Sequence, residues 1–345
     1  MKKKSKYSDA TVKVYHGYGH TNNLFVYGHV LKGKNFLQGT YTNNAFINFI
    51  HLIRLFFISP IPGASVKLHW QNQSFDSTTE SDGFFKFEWQ SDTEITAGWH
   101  DIQVDLLNSG GQSIATGRGK IFIPHSTQYG FISDIDDTVL ISHSGTTGKK
   151  LWSMLTKNPR SRKTFADVVN YYQLLSTAHT EVDVPNPFFY VSSSEWNLYD
   201  YLNEFFKYNQ LPKGAFLLNE IKKWYQLLKT GTTKHQGKFN RVERILKAFP
   251  AQQFVLLGDN SQSDPDIYKL IADEYPHQIL AIYIRNISPH KEPLTKQILA
   301  SINNKAIYTL LYKHTSEAIL HSRSIGLIVL LIEKLITNYH LKNNG

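Results

Sequence analysis

The chain contains no cysteine. Disulfides, a thiol nucleophile and a Cys-ligated zinc site are therefore excluded, and a reducing compartment is compatible. It also lacks an apolar run long enough for a membrane-spanning helix, which needs about 20 residues. Its most apolar windows, 45–59 and 324–337, are too short, and His51 and Arg54 interrupt the first. No apolar stretch follows the basic start MKKKSK, so the N-terminus does not read as a secretory signal. Internal repeats and low-complexity runs are missing as well. Acidic charge is in the minority: 28 Asp+Glu stand against 37 Lys+Arg, a net charge of +9. A surplus of that sign suits phosphates, nucleic acid or an anionic membrane surface. What the 345 residues do supply is 41% hydrophobic and 13% aromatic content, enough to fill the cores of about two domains.

Residues 1–10 read as a disordered basic tail. Residues 11–126 are β-rich. TVKVYHGYG and NLFVYGHVL alternate in the strand pattern, and strands flank a turn at Asp82-Gly83. HDIQVDLL and GKIFIP add two more. An amphipathic helix over 43–58 interrupts them, with Phe46, Ile47, Ile50, Ile53 and Phe57 at helical spacing. This pattern predicts a small antiparallel β-sandwich carrying one inserted helix, ending near Pro124. From 127 to 300 short apolar strands alternate with helices: FISDI, PFFYVSSS, QFVLLGD and ILAIYIRNI are the strands. That alternation predicts a parallel sheet with helices on both faces, the α/β class, with its ligand site at the carboxyl ends of the strands. Residues 301–345 read as a helical extension.

The polar clusters fall at those strand ends. In FISDIDDTVLIS, Asp134, Asp136 and Asp137 emerge from an apolar strand. Crowded carboxylates need a cation, and oxygen-only ligands favour a hard one such as Mg²⁺. A carboxylate held beside such an ion can attack phosphorus. In YVSSSEW, Ser192 and Ser193 are candidates for holding phosphate oxygens, while Ser194 also suits a helix cap. Lys238 opens a helix and can reach a phosphate or balance the carboxylates, with Lys234 competing for the role. In FVLLGDNSQSDPDIY, Gly258 allows close approach and Asp259 adds a carboxylate; Asp264 either adds another or starts the next helix with Pro265.

The order acid cluster, Ser, Lys, Gly-Asp resembles the haloacid-dehalogenase superfamily, whose head motif is D-x-D-x-[TV]. Longer phrases resemble one branch of it, the Mg²⁺-dependent phosphatidate phosphatases typified by a fungal actin-patch protein. These are SDIDDTVL, NPFFYVSSSEWNLYDYL, Leu211-Pro212 with Gly214, and FVLLGDNSQSDPDIYKLIADEYPHQILAIYIR, together covering about 129–290. The chain departs from the family pattern at Glu195, where Pro is usual, at LLNE 217–220, and at His235 and Lys238, which stand apart.

The resemblance implies a Rossmannoid fold and a set of roles. Asp134 is the nucleophile and a metal ligand. Asp136 is the general acid and then the base, with its backbone carbonyl on Mg²⁺; for that it needs a raised pKa, which Asp134 and Asp137 would supply. Thr138 orders the loop, Ser192 and Lys238 bind phosphate, and Asp259 with Asp264 completes the metal site. Asp137 is held as structural. The implied reaction is hydrolysis of phosphatidate to diacylglycerol through an aspartyl phosphate. The alternatives are a phosphatase for a soluble phosphomonoester, or a non-catalytic lipid-binding module. Expected surroundings are the cytoplasm and, through the basic tail and the 43–58 helix, the edge of an anionic membrane. No nucleic-acid partner is expected.

Overall fold

The computed structural model describes residues 7, 9–33, 59–125, 129–140, 164–180, 183–220 and 234–329. The helix expected over 43–58, most of the N-terminal tail and residues 330–345 lie outside the described residues.

The N-terminal strands are β1 (Ala10–Val14), β2 (Gly17–His20), β3 (Asn23–Lys32), β4 (Ser59–Pro60), β5 (Ser65–Trp70), β6 (Gln73–Thr78), β7 (Phe84–Trp89), β8 (Gly98–Leu107) and β9 (Ser113–Ile123). They form one nine-stranded sheet in the order β1-β3-β2-β9-β8-β5-β6, with β4 and β7 also paired to β3. The expected sandwich is thus a single sheet folded on itself. Its pairs are antiparallel except one, since β2 runs parallel to β9. Alternation explains the fold. In β7, Phe85, Phe87 and Trp89 are buried while Lys86 and Glu88 are exposed. These side chains share a core with Val66 and Leu68 of β5 and Val104 and Leu106 of β8. The turn expected at Asp82-Gly83 is present, with Gly83 at φ 78, a conformation that favours glycine.

The second sheet has six strands, all parallel: β10 (Gly130–Ser133), β11 (Phe188–Glu195), β12 (Gly214–Asn219), β13 (Phe254–Asp259), β14 (Ile279–Arg285) and β15 (Tyr308–Tyr312). Its order is β12-β11-β10-β13-β14-β15. The helices are α1 (Val168–Ser176), α2 (Tyr199–Tyr208), α3 (Lys234–Ala248), α4 (Asp264–Glu274), α5 (Glu292–Ala300) and α6 (Thr315–Ser324). Every residue of β13 is buried, as a strand covered on both faces requires. In β11, Phe188 and Tyr190 face one way, against Phe131, Tyr172 of α1 and Phe206 of α2. Phe189 faces the other, against Phe249 just after α3. Successive strands step away from β10 in both directions, so the crevice beside it is a topological switch point.

In the first sheet the run expected as one strand before Asp82-Gly83 is the hairpin β5–β6, and the second sheet holds two strands that the sequence pattern does not mark. The run GAFLLN, beside the Leu211-Pro212 phrase, is β12. Past residue 300 the chain is not helical throughout: Tyr308–Tyr312 forms the edge strand β15, and helix returns at Thr315. A five-residue strand with only its last residue fully buried carries too weak a pattern to be read.

The two sheets are joined by an aromatic layer. Tyr15 stacks on Trp196 with ring centroids 4.2 Å apart and planes at 13°. Tyr18 meets Phe189 edge-on at 5.2 Å. Lys13 pairs with Asp200 of α2, and Arg244 of α3 donates to the Tyr27 hydroxyl at 3.1 Å. Tyr15, Tyr18, Phe25 and Tyr27 thereby belong to the same core as the parallel sheet. Tyr15 is 1% exposed. Replacing it by Ala is expected to cost about 3–5 kcal/mol, read as a lowered denaturation midpoint. Tyr208→Ala, at a 56% exposed site, serves as the control and should leave the midpoint nearly unchanged.

Candidate functional site

The site lies where β10, β11 and β13 end. The Asp134 amide still donates to Leu257 O at 2.8 Å, so the first acid leaves the sheet directly from the ladder. A tight turn follows: the amides of Val139 and Leu140 both donate to Ile135 O, and Asp137 sits at φ 58. This turn separates Asp134 from Asp136 instead of leaving them side by side on an extended strand. All five aspartates, Asp134, Asp136, Asp137, Asp259 and Asp264, are buried, with exposures of 0–2%.

Lys238 of α3 meets this charge. Its ammonium donates to Asp134 Oδ1 at 2.7 Å and to Asp264 Oδ1. Burial opposes the charge on Lys238, but Asp134 and Asp264 outweigh it and raise its pKa. The other candidate, Lys234, is the first residue of α3. Asp264 is the first residue of α4, and its Oδ2 accepts from the Asp259 amide at 3.3 Å. Gly258 makes that approach feasible, because a Cβ there would lie 2.6 Å from Asp264 Oδ2.

Asp134, Asp259 and Asp264 each present a carboxylate oxygen within 4.8 Å of the others. Asp134 Oδ2 and Asp259 Oδ2 are buried without a hydrogen-bond partner. Two unpartnered anionic oxygens in a dry, all-oxygen donor set fit a hard divalent cation. Burial raises the Asp134 pKa well above the carboxylate range, against Lys238 and with help from Asp264, Asp259 and Asp136. Asp259 is pushed up to about 7 by burial and Asp264, against hydrogen bonds from Ser261 and the Lys238 charge. Both rises begin with burial and are reinforced by more carboxylate charge than one ammonium can balance.

The Asp136 carboxylate stands outside that trio and faces β11. Ser192 Oγ donates to Asp136 Oδ2 at 3.2 Å and Ser194 Oγ at 3.4 Å. Ser193, expected with Ser192 at the phosphate, is only half-buried, and its carbonyl accepts from the Asn219 amide at 2.8 Å. β11 runs on through Glu195 with an irregular register against β12 between Val191 and Glu195, and within it Ser192 and Ser194 turn to Asp136 while Ser193 does not. That period of two was the signal available in the sequence. Thr138 is buried in the turn at 1% exposure.

Several other groups had no motif to mark them. Asn219 at the end of β12 accepts from Arg241 Nη1 at 2.6 Å, and Arg241 Nη2 reaches Ser192 O at 3.4 Å. Burial, with nearby Arg244, lowers the Arg241 pKa to about 10, against the pull of Asp134. Arg241 and Asn219 together brace the serine segment. Arg285, 1% exposed, closes the β14 end, packed over Phe165 at 4.3 Å and Tyr312 at 4.8 Å. Asn260 accepts from the amides of Ile287 and Ser288, both at 2.8 Å, fixing the loop after β14.

An α/β protein with an acid-lined crevice at its switch point is a broad class. Residues 129–286 match the model of one family, phosphatidate phosphatase APP1, catalytic domain. The phosphatidate phosphatase APP1 of Saccharomyces cerevisiae is 32% identical over 242 residues, 69% of this chain and 40% of the yeast protein. An uncharacterized protein of Schizosaccharomyces pombe is 25% identical over 158 residues, 45% of this chain and 25% of that one. The chain thus spans well under half the length of these relatives. Among solved structures, a carbohydrate acetylesterase from Xanthomonas citri aligns over 88% of this chain and 68% of its own at 9% identity, but with a TM-score of 0.30.

The raised Asp259 pKa sets a pH dependence for the ion-free protein. Its folded value, about 7, exceeds the unfolded one, so folding takes up a proton. That stabilisation is full below an ordinary carboxylate pKa of about 4 and is lost as pH rises through about 7. Asp259→Asn removes the titrating group. In chelator, melting temperatures of wild type and variant should therefore diverge between about pH 5 and 8, with the variant gaining relative to wild type at the alkaline end. Parallel profiles would disprove the assignment.

Proposed function

We propose that the chain is a Mg²⁺-dependent phosphatase that hydrolyses phosphatidate to diacylglycerol and phosphate through a phosphoryl group carried on Asp134. The observation that carries this reading is the division of labour between two aspartates two residues apart. Asp134 is held by the Lys238 ammonium within a carboxylate trio, whereas Asp136 is held by two serine hydroxyls outside it.

One Asp134 carboxylate oxygen attacks phosphorus, while the other is left to the ion site and Lys238. Lys238 bears on the phosphate oxygens and keeps Asp134 oriented. Asp136 donates a proton to the leaving glycerol oxygen, then accepts one from the water that cleaves the acyl phosphate. Ser192 holds phosphate and, with Ser194, keeps Asp136 in place. Asp134, Asp259 and Asp264, with the Asp136 carbonyl, would hold Mg²⁺. When bound, the ion offsets carboxylate charge and polarises the phosphoryl oxygens. The parallel sheet and its switch point support a haloacid-dehalogenase-like catalytic domain over about 127–300, preceded by a β-rich domain over 11–126.

The family match and the yeast relative's name support phosphatidate as the substrate. Reaching it requires peripheral contact with a membrane from the cytoplasm. No helix among the described residues is long and apolar enough to cross one.

The reading is tested with phosphatidate in mixed micelles. Asp134→Asn should abolish phosphate release while leaving the melting curve cooperative, and Asp136→Asn should lower it by about 10²–10⁴-fold. EDTA should stop turnover and Mg²⁺ restore it. Full activity of Asp134→Asn, or chelator-resistant turnover, would remove the mechanism. A preference for glycerol 3-phosphate over phosphatidate would leave the chemistry standing and replace the substrate.

A further inference from the structure

β12 has two functional ends. Asn219 braces the serine segment of the acid site, and Gly214 lies about 17 Å away, at 3.3 Å per residue. At the Gly214 end a cavity of about 740 Å³ opens between the first sheet and α2. Its inner wall is apolar, with Val14, Tyr199, Phe206, Leu211 and Phe216 buried along it. Its rim is cationic: Arg118, Lys120, Lys207 and Lys213.

The rim charge is poorly balanced. Asp101 is the single acidic residue on the lining, and Lys120 already pairs with it at 2.8 Å. Arg118, Lys207 and Lys213 make no ion pair among the described residues. Lys213 instead lies over the Trp99 ring, 3.7 Å from its centroid. These cations come from three separate segments. Arg118 and Lys120 are two apart on β9 and so share a face. Lys207 is in the last turn of α2, and Lys213 immediately precedes β12. A lysine at a helix C-terminus is common on its own; the convergence of three segments on one concavity is not. His16, on the same lining, accordingly has its pKa lowered to about 4 by burial, Lys213 and Lys120. It stays neutral and leaves the excess charge to its neighbours.

Apolar walls focus the field of unpaired cations. The volume is that of a small-molecule pocket. Inorganic anions alone would gain nothing from the aromatic and aliphatic wall. We propose that this cavity is a second binding site, distinct from the acid crevice, for a phosphate-bearing anion whose body packs on Phe206, Leu211 and Phe216. The phosphate belongs to a free phosphate ester or to a lipid headgroup.

The test is equilibrium binding by calorimetry in EDTA, which suppresses hydrolysis of either probe at the acid site, so failure of the phosphatase assay leaves it intact. The probes are glycerol 3-phosphate and dihexanoyl phosphatidylglycerol, a water-soluble diester with no terminal phosphate to remove. Arg118→Gln with Lys213→Gln should weaken binding by about tenfold or more. The charge-matched pair Lys247→Gln with Lys296→Gln, both exposed and neither on the cavity lining, should not. Loss confined to glycerol 3-phosphate identifies a free ester, and loss that includes the lipid probe identifies a headgroup; either supports the site. The proposal is overturned if wild type binds neither probe at millimolar concentration. It is also overturned if the cavity variant binds as wild type does, or if the control pair loses as much.

Discussion

Everything at the strand ends is subordinate to the charge imbalance around Lys238. One ammonium lies between Asp134 and Asp264, with Asp259 alongside and all of them out of water. Coulomb repulsion at such separations is several kcal/mol even at an effective dielectric near 20. Burial, reinforced by this crowding, raises the pKa of both Asp134 and Asp259. A cation answers the same demand better. Other local choices serve this arrangement: glycine at 258, the αL turn at Asp137, the acid at the first residue of α4, and the all-apolar β13 that aims Asp259.

A second constraint separates roles that the sequence places side by side. Asp134 and Asp136 differ by two positions, yet one belongs to the carboxylate trio and the other to β11. The roles proposed for the two acids call for different environments, because it is the environment that sets a carboxyl group's pKa. The turn after β10 and the extended serine segment of β11 provide different partners. Arg241 and Asn219 extend that support outward, so the serine positions depend on α3 and β12 as well as on their own strand.

Much of the site could be read directly, because its motifs coincide with abrupt ends of apolar runs. Asp134, Asp136, Lys238, Asp259 and Asp264 do converge on one crevice. Ser193 was grouped with Ser192 because a triplet of serines looks uniform on the page, whereas a strand sorts it by parity. Arg241, Asn219 and Arg285 were invisible since a braced arginine and a braced asparagine have no spacing rule. In the fold, strands buried on both faces announced themselves, and so did the alternating strands of the first sheet. β12 and β15 did not. The first was short and masked by a familiar phrase, and the second is a half-exposed edge whose burial depends on neighbours far away in sequence.

The aromatic layer between the sheets also bears on where this protein can be cut. The family match begins at 129 and ends at 286, immediately after β14. A fragment with those limits would omit Tyr15, Tyr18 and Tyr27 and would strip the rings from over Trp196 and Phe189. It would also lose β15 and so leave β14 as a raw, largely apolar edge open to self-association. The stretch that matches the family model is therefore smaller than the packed core it belongs to, and the strands ahead of it supply the aromatic rings that cover part of that core.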